Sequence, residues 1–125
     1  MATATVSKSF TLQAAHQLPD HDGKCRQLHG HSYRIDVEAH GPIQGERRTS
    51  DEGMVLDFAV IKLAWAPFHQ LMDHRFLNEV IPTEYHPTTA ENIARWLLTE
   101  LRLAVPQVVA VRVHETEGCW AEVRA

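Results

Sequence analysis

Apolar and polar side chains alternate over two stretches near the start of the chain. Phe10, Leu12, Ala14 and His16 share one face of a strand predicted over residues 6–16, because successive strand side chains point to opposite faces. His29, His31, Tyr33, Ile35 and Val37 share one face of a second strand, over about 29–39. The polar stretch 19–24 between them reads as a loop. The charged connection 41–48 reads as an exposed excursion, and Met54-Val55-Leu56 as a short extended return.

The period then changes to that of a helix. Phe58, Ile61, Trp65, Phe68 and Met72 make one apolar stripe behind Asp57, a good N-cap, with Pro67 expected to kink or divide the helix. A second helix opens on Thr88-Thr89-Ala90-Glu91, read as a capping box in which Thr88 reaches forward and Glu91 back. Ile93, Trp96, Leu97 and Leu101 form its buried face, and Pro106 marks its end. Two last strands, about 108–115 and 119–123, turn through Glu117-Gly118. The order β-β-α-α-β-β predicts one α+β domain over residues 1–125: a four-stranded antiparallel sheet with two helices on one face. Such a sheet has two exposed edges, which invite pairing with another copy and hence a homo-oligomer.

Composition narrows the class. The 125 residues are 44% hydrophobic and 22% charged, as in a globular domain, with a net charge of −4. No stretch is dense in lysine or arginine, which excludes a general nucleic-acid binder. No apolar run is long enough to cross a bilayer, and the first residues lack a signal-peptide apolar segment, so a cytoplasmic protein with reduced thiols is expected.

Nine histidines stand out. His21, His40, His69 and His114 are expected at the surface, whereas His16, His29 and His31 recur on inward faces. Paired strands would bring these three imidazoles together. Three nitrogen ligands with a vacant fourth position suit catalytic zinc, although copper, nickel or iron would accept the same set. Gly30 would ease close backbone approach. Cys25 stands between Lys24 and Arg26, whose charges favour the thiolate; it is either a base or nucleophile, or a loop cysteine without a role. Cys119, beside Trp120, is expected to pack inside. Asp73-His74 offers a carboxylate that could orient an imidazole, or an acidic residue that serves the helix end. Glu115 continues the row Val109, Val111, Val113. There it either meets a ligand with paired N–H donors or twists out to solvent.

Together these segments resemble the 6-pyruvoyltetrahydropterin synthase superfamily, and within it the 6-carboxytetrahydropterin synthase branch of the queuosine pathway. The matching residues are Phe10-Thr11-Leu12-Gln13-Ala14-Ala15-His16, Cys25-x-x-x-His29-Gly30-His31, Asp51-Glu52-Gly53-Met54-Val55-Leu56-Asp57-Phe58, Met72-Asp73-His74, Pro87-Thr88-Thr89-Ala90-Glu91-Asn92 and Glu115-Thr116. The three-residue gap between Cys25 and His29 resembles the carboxytetrahydropterin branch. The resemblance implies a tunnelling fold, in which trimers close their sheets into a barrel and pair into a hexamer. It implies a zinc-dependent lyase that converts 7,8-dihydroneopterin triphosphate to 6-carboxy-5,6,7,8-tetrahydropterin, acetaldehyde and triphosphate. His16, His29 and His31 would bind Zn2+, Cys25 would abstract a proton, Asp73 and His74 would relay it, and Glu115 would anchor the pterin. The alternatives are 6-pyruvoyltetrahydropterin synthase activity and a non-catalytic zinc- or pterin-binding module. Lys24, Arg26 or Arg75 could offset the acidic net charge near a triphosphate.

Overall fold

A computed structural model describes residues 2–46 and 48–125; Met1 and Arg47, the latter within the predicted excursion, lie outside the described residues. Strands β1 (Thr3–His16) and β2 (His29–Pro42) pair antiparallel along their whole length, with Thr3 opposite Pro42 and His16 opposite His29. Both run further than the alternation of apolar residues predicts, because the ladder continues where the core-facing row is only half-buried.

After helix α1 (Phe58–Met72) the chain forms β3 (Arg75–Phe76), a one-turn helix α2 (Leu77–Val80) and helix α3 (Ala90–Ala104). Strands β4 (Val108–Thr116) and β5 (Cys119–Arg124) complete the chain. The sheet order is β3-β1-β2-β4-β5. The expected four-stranded antiparallel sheet is thus a five-stranded mixed one, since β3 lies parallel to β1 at Ala14 and Ala15. Two residues are too few to show any periodicity, so β3 and α2 have no sequence signal of their own.

The helices cover one face of the sheet. Ile61, Trp65 and Met72 bury one side of α1, with Trp65 stacked on Phe10 of β1 at 5.0 Å between ring centres. Asp57 caps this helix by accepting the Ala59 N–H at 2.8 Å. Of the two outcomes expected at Pro67, division does not occur: α1 runs unbroken through it. Pro67 and Leu63 are both on its exposed side, so the Leu63 carbonyl that loses its helical donor faces water. Helix α3 is capped one residue later than the capping box predicts: Thr89, not Thr88, accepts the Asn92 N–H at 3.2 Å. Thr88 is instead fully buried.

Residues 54–56 form no strand. Their backbone is held by Gln44, whose side-chain amide donates to the Val55 carbonyl at 3.2 Å, while Val55 and Leu56 enter the core. The sheet face away from the helices is polar, and there His114 departs from its expected surface position. It is buried at 4% exposure, donating from Nε2 to Asp36 at 2.9 Å beneath the Arg34 and Trp120 side chains. Cys119, expected inside, is exposed because it opens the edge strand β5. No helix among the described residues is long and apolar enough to cross a membrane.

Candidate metal centre and adjoining cleft

The β1–β2 register builds the centre. His16 faces His29 directly and His31 faces Ala14, so all three imidazoles project from the helix-covered face at one end of the pair. One nitrogen from each ring lies within 4.8 Å of the others. His16 is fully buried, and His29 and His31 are half-buried.

Hydrogen bonds set the tautomers. A carbonyl oxygen can only accept, so His16 carries its proton on Nδ1, which donates to the Thr88 carbonyl at 2.7 Å. His29 likewise donates from Nδ1 to the Gln27 carbonyl at 2.7 Å. Both rings therefore present a bare Nε2 to the cluster. The His29 Nε2 is buried and has no hydrogen-bond partner, and the Nε2 atoms of His16 and His31 stand 3.1 Å apart. Tetrahedral zinc with Zn–N bonds of about 2.0–2.1 Å holds its ligand nitrogens roughly 3.3 Å from one another. The donor set thus fits a divalent ion, and an orphaned buried nitrogen is what such an ion would satisfy. Burial holds the His16 and His31 pKa values below the ordinary 6.5, which favours the neutral rings that a metal requires; the bond to the Thr88 carbonyl opposes this at His16, and the charge of Glu115 at both.

Glu115 sits at a register irregularity of β4 and turns toward the cluster, its Oε2 3.4 Å from His31 Nε2. Tyr33 lies beneath, its ring 5.3 Å from that of His31, with a buried hydroxyl that has no partner. Burial, and next the charge of Glu115, keeps this phenol protonated.

An open cleft of about 520 Å³ adjoins the centre, lined by His31, Gln13, Ser32, His74, Arg75 and Phe76 among others. Asp73 ends α1 and accepts the Gln13 N–H at 2.9 Å, a bond that holds its carboxyl below the usual range. Its other oxygen lies 3.0 Å from His74 Nδ1 and 3.5 Å from His69 Nε2. His74 adopts a left-handed backbone (φ 58°) and exposes its ring to the cleft. The pairing of Asp73 with His74 and the helix-end position of Asp73 are thus both present. Cys25 is half-buried in a 3-10 turn (Lys24–Arg26) of the loop that joins the two ligand strands, and it is not one of the clustered donors. That loop is closed by the Leu18 N–H, which donates to the Cys25 carbonyl at 2.8 Å. At Gly30 a Cβ would meet the Ala14 carbonyl oxygen at 3.4 Å, an ordinary contact, so the expected close approach is absent.

Three residues that position the centre escape a reading of the sequence: Gln27 and Thr88, which act through backbone carbonyls, and Asn78, which binds Thr88. A carbonyl is common to every residue and leaves no signal in side-chain identity. Only the proximity of Gln27 to His29 could have suggested its role.

The chain is similar to known proteins over most of its length. The profile of the 6-pyruvoyl tetrahydropterin synthase family matches residues 5–125. A Synechocystis sp. protein named 6-carboxy-5,6,7,8-tetrahydropterin synthase is 42% identical over 113 residues, covering 89% of this chain and 85% of its own. The Drosophila melanogaster 6-pyruvoyl tetrahydrobiopterin synthase is 33% identical over 132 residues, covering 90% of this chain and 74% of its own. The structure of Caenorhabditis elegans 6-pyruvoyl tetrahydropterin synthase superposes with a TM-score of 0.84 at 26% identity, over 100% of this chain and 97% of that one.

Proposed function

The chain belongs to the 6-pyruvoyl tetrahydropterin synthase family, and we propose that it is a 6-carboxytetrahydropterin synthase, a carbon–carbon lyase. Its reaction takes 7,8-dihydroneopterin triphosphate and water to 6-carboxy-5,6,7,8-tetrahydropterin, acetaldehyde and triphosphate, as a step toward queuosine and related 7-deazaguanines. The observation that carries the reading is the orphaned, buried Nε2 of His29 beside those of His16 and His31, at the wall of an open cleft.

His16, His29 and His31 would hold Zn2+. When bound, the ion supplies Lewis acidity to the substrate side chain. Cys25 serves as the base that removes a proton from that side chain. Asp73 orients His74, and His74 carries protons at the open cleft. Glu115, acceptor-only when ionised, takes the paired N–H donors of the pterin edge. Arg75, in the cleft wall, suits the triphosphate.

The flank of β1 that the two-residue β3 leaves uncovered and the edge strand β5 support assembly into trimers whose sheets close a barrel, with two trimers forming a hexamer in the cytoplasm. Incubating the zinc-loaded protein with the substrate should release acetaldehyde and triphosphate in equal amounts. Triphosphate without acetaldehyde would instead assign 6-pyruvoyltetrahydropterin synthase activity, the reading favoured by the Drosophila relative. Neither product, with zinc bound, would mean a non-catalytic module.

A further inference from the structure

Asn78 has no place in the chemistry above, yet its carboxamide makes three hydrogen bonds. Its Oδ1 accepts the Gln17 N–H at 3.0 Å and the Thr88 hydroxyl at 3.0 Å, and its Nδ2 donates to the Gln17 carbonyl at 2.8 Å. The Gln17 backbone offers one donor and one acceptor, so only one orientation of the amide satisfies both. Gln17 follows His16 in the chain. Thr88 supplies the carbonyl that receives the His16 Nδ1–H, and both His16 and Thr88 are 0% exposed. A single side chain, delivered by the one-turn helix α2, thus fixes both ends of the hydrogen bond that orients one imidazole.

We propose that Asn78 is a positioning residue for His16: by clamping Gln17 to Thr88 it commits His16 to the Nδ1–H tautomer and aims its bare Nε2 at the metal position. The inference deepens the metal-centre reading and rests on it. Partners bonded directly to a ligating imidazole, as the Thr88 carbonyl is to His16, change metal affinity by about 10- to 100-fold when lost, and Asn78 acts one hydrogen bond further out. Thr88 lies one residue before the cap of α3, with its side chain turned inward to donate to Asn78.

The test uses the full chain with two readouts: zinc affinity by competition with a chromophoric chelator, and the His16 tautomer by 15N NMR in metal-free protein. Asn78→Ala, which acts through Thr88, should weaken zinc by up to about 10-fold, the lower end of the range for direct partners, and turn His16 from pure Nδ1–H into a mixture of tautomers. Thr88→Val should move both readouts in the same direction, and Thr88→Ser, which keeps the hydroxyl, should restore them. If Asn78→Ala does not fold, the Val and Ser variants at position 88 decide the matter by their difference. A folded Asn78→Ala protein with unchanged affinity and tautomer overturns the clamp, as does equality of the Val and Ser variants. Should wild type bind no zinc, the metal reading fails by itself, and the tautomer measurement still decides the role of Asn78.

Discussion

His16 and His29 are direct partners across the β1–β2 ladder, and His31 follows on the same face two residues later. A slip of one residue in that pairing would send one strand's side chains to the opposite face and scatter the cluster. The long ladder, paired from Thr3 with Pro42 to His16 with His29, guards against such a slip. The centre is therefore built by strand register, and it should survive local changes that leave the ladder intact.

His29→Ala removes the imidazole whose Nε2 has no partner within the protein. Metal content by elemental analysis should fall below stoichiometry while circular dichroism remains that of the wild type. Full zinc retention would contradict the ligand set.

Cys25→Ala separates base from ligand. Cys25 lies outside the donor cluster, so bound zinc should be unaltered, whereas acetaldehyde release should slow by at least about 100-fold, as expected on loss of a general base. Turnover at the wild-type rate would remove Cys25 from the mechanism.

Asp36 provides a pH signature distant from the centre. Burial pushes its pKa up, but the Ser9 hydroxyl, His114 and Arg34 together outweigh that and leave it below the ordinary 3.8. Because the folded value is the lower one, the unfolded chain takes up protons first on acidification. The stabilisation from the carboxylate is fully present above 3.8 and is lost as pH falls through the lower folded value. Urea denaturation should thus find Asp36→Asn less stable than wild type near neutrality, with the gap closing on the acid side of 3.8. A gap independent of pH would show that packing, not charge, is responsible.

Asp57→Ala deletes the cap of α1. The loss should be about 1 kcal/mol in urea unfolding, with zinc stoichiometry unchanged, because that end of the helix carries no ligand.

The parts legible in the sequence are those that depend on side-chain periodicity. Alternation placed His16 on one inward row and His29 and His31 on another, and helical spacing placed Ile61, Trp65 and Met72 inside. What stayed hidden depends on pairing and on backbone atoms. The two residues of β3 join the sheet because Asp73 and His74 bind Gln13 from the end of α1, a contact across sixty positions. His114 is buried because Arg34, Asp36 and Trp120 from neighbouring strands close over it, which no local pattern records. Thr88 looked like a cap because its type suits one; the helix starts one residue later, at Ala90 behind Thr89, and Thr88 turns inward to Asn78.

The brevity of β3 has a consequence for how copies can meet. Gln13 spends its N–H on Asp73 and its carbonyl on the His74 N–H, and Ala14 and Ala15 lie against Arg75 and Phe76. A foreign strand zipping onto this flank must therefore halt before Gln13, on the half remote from the imidazoles. Such an added strand would leave the backbone beside the cleft of His31 and His74 without an intermolecular partner.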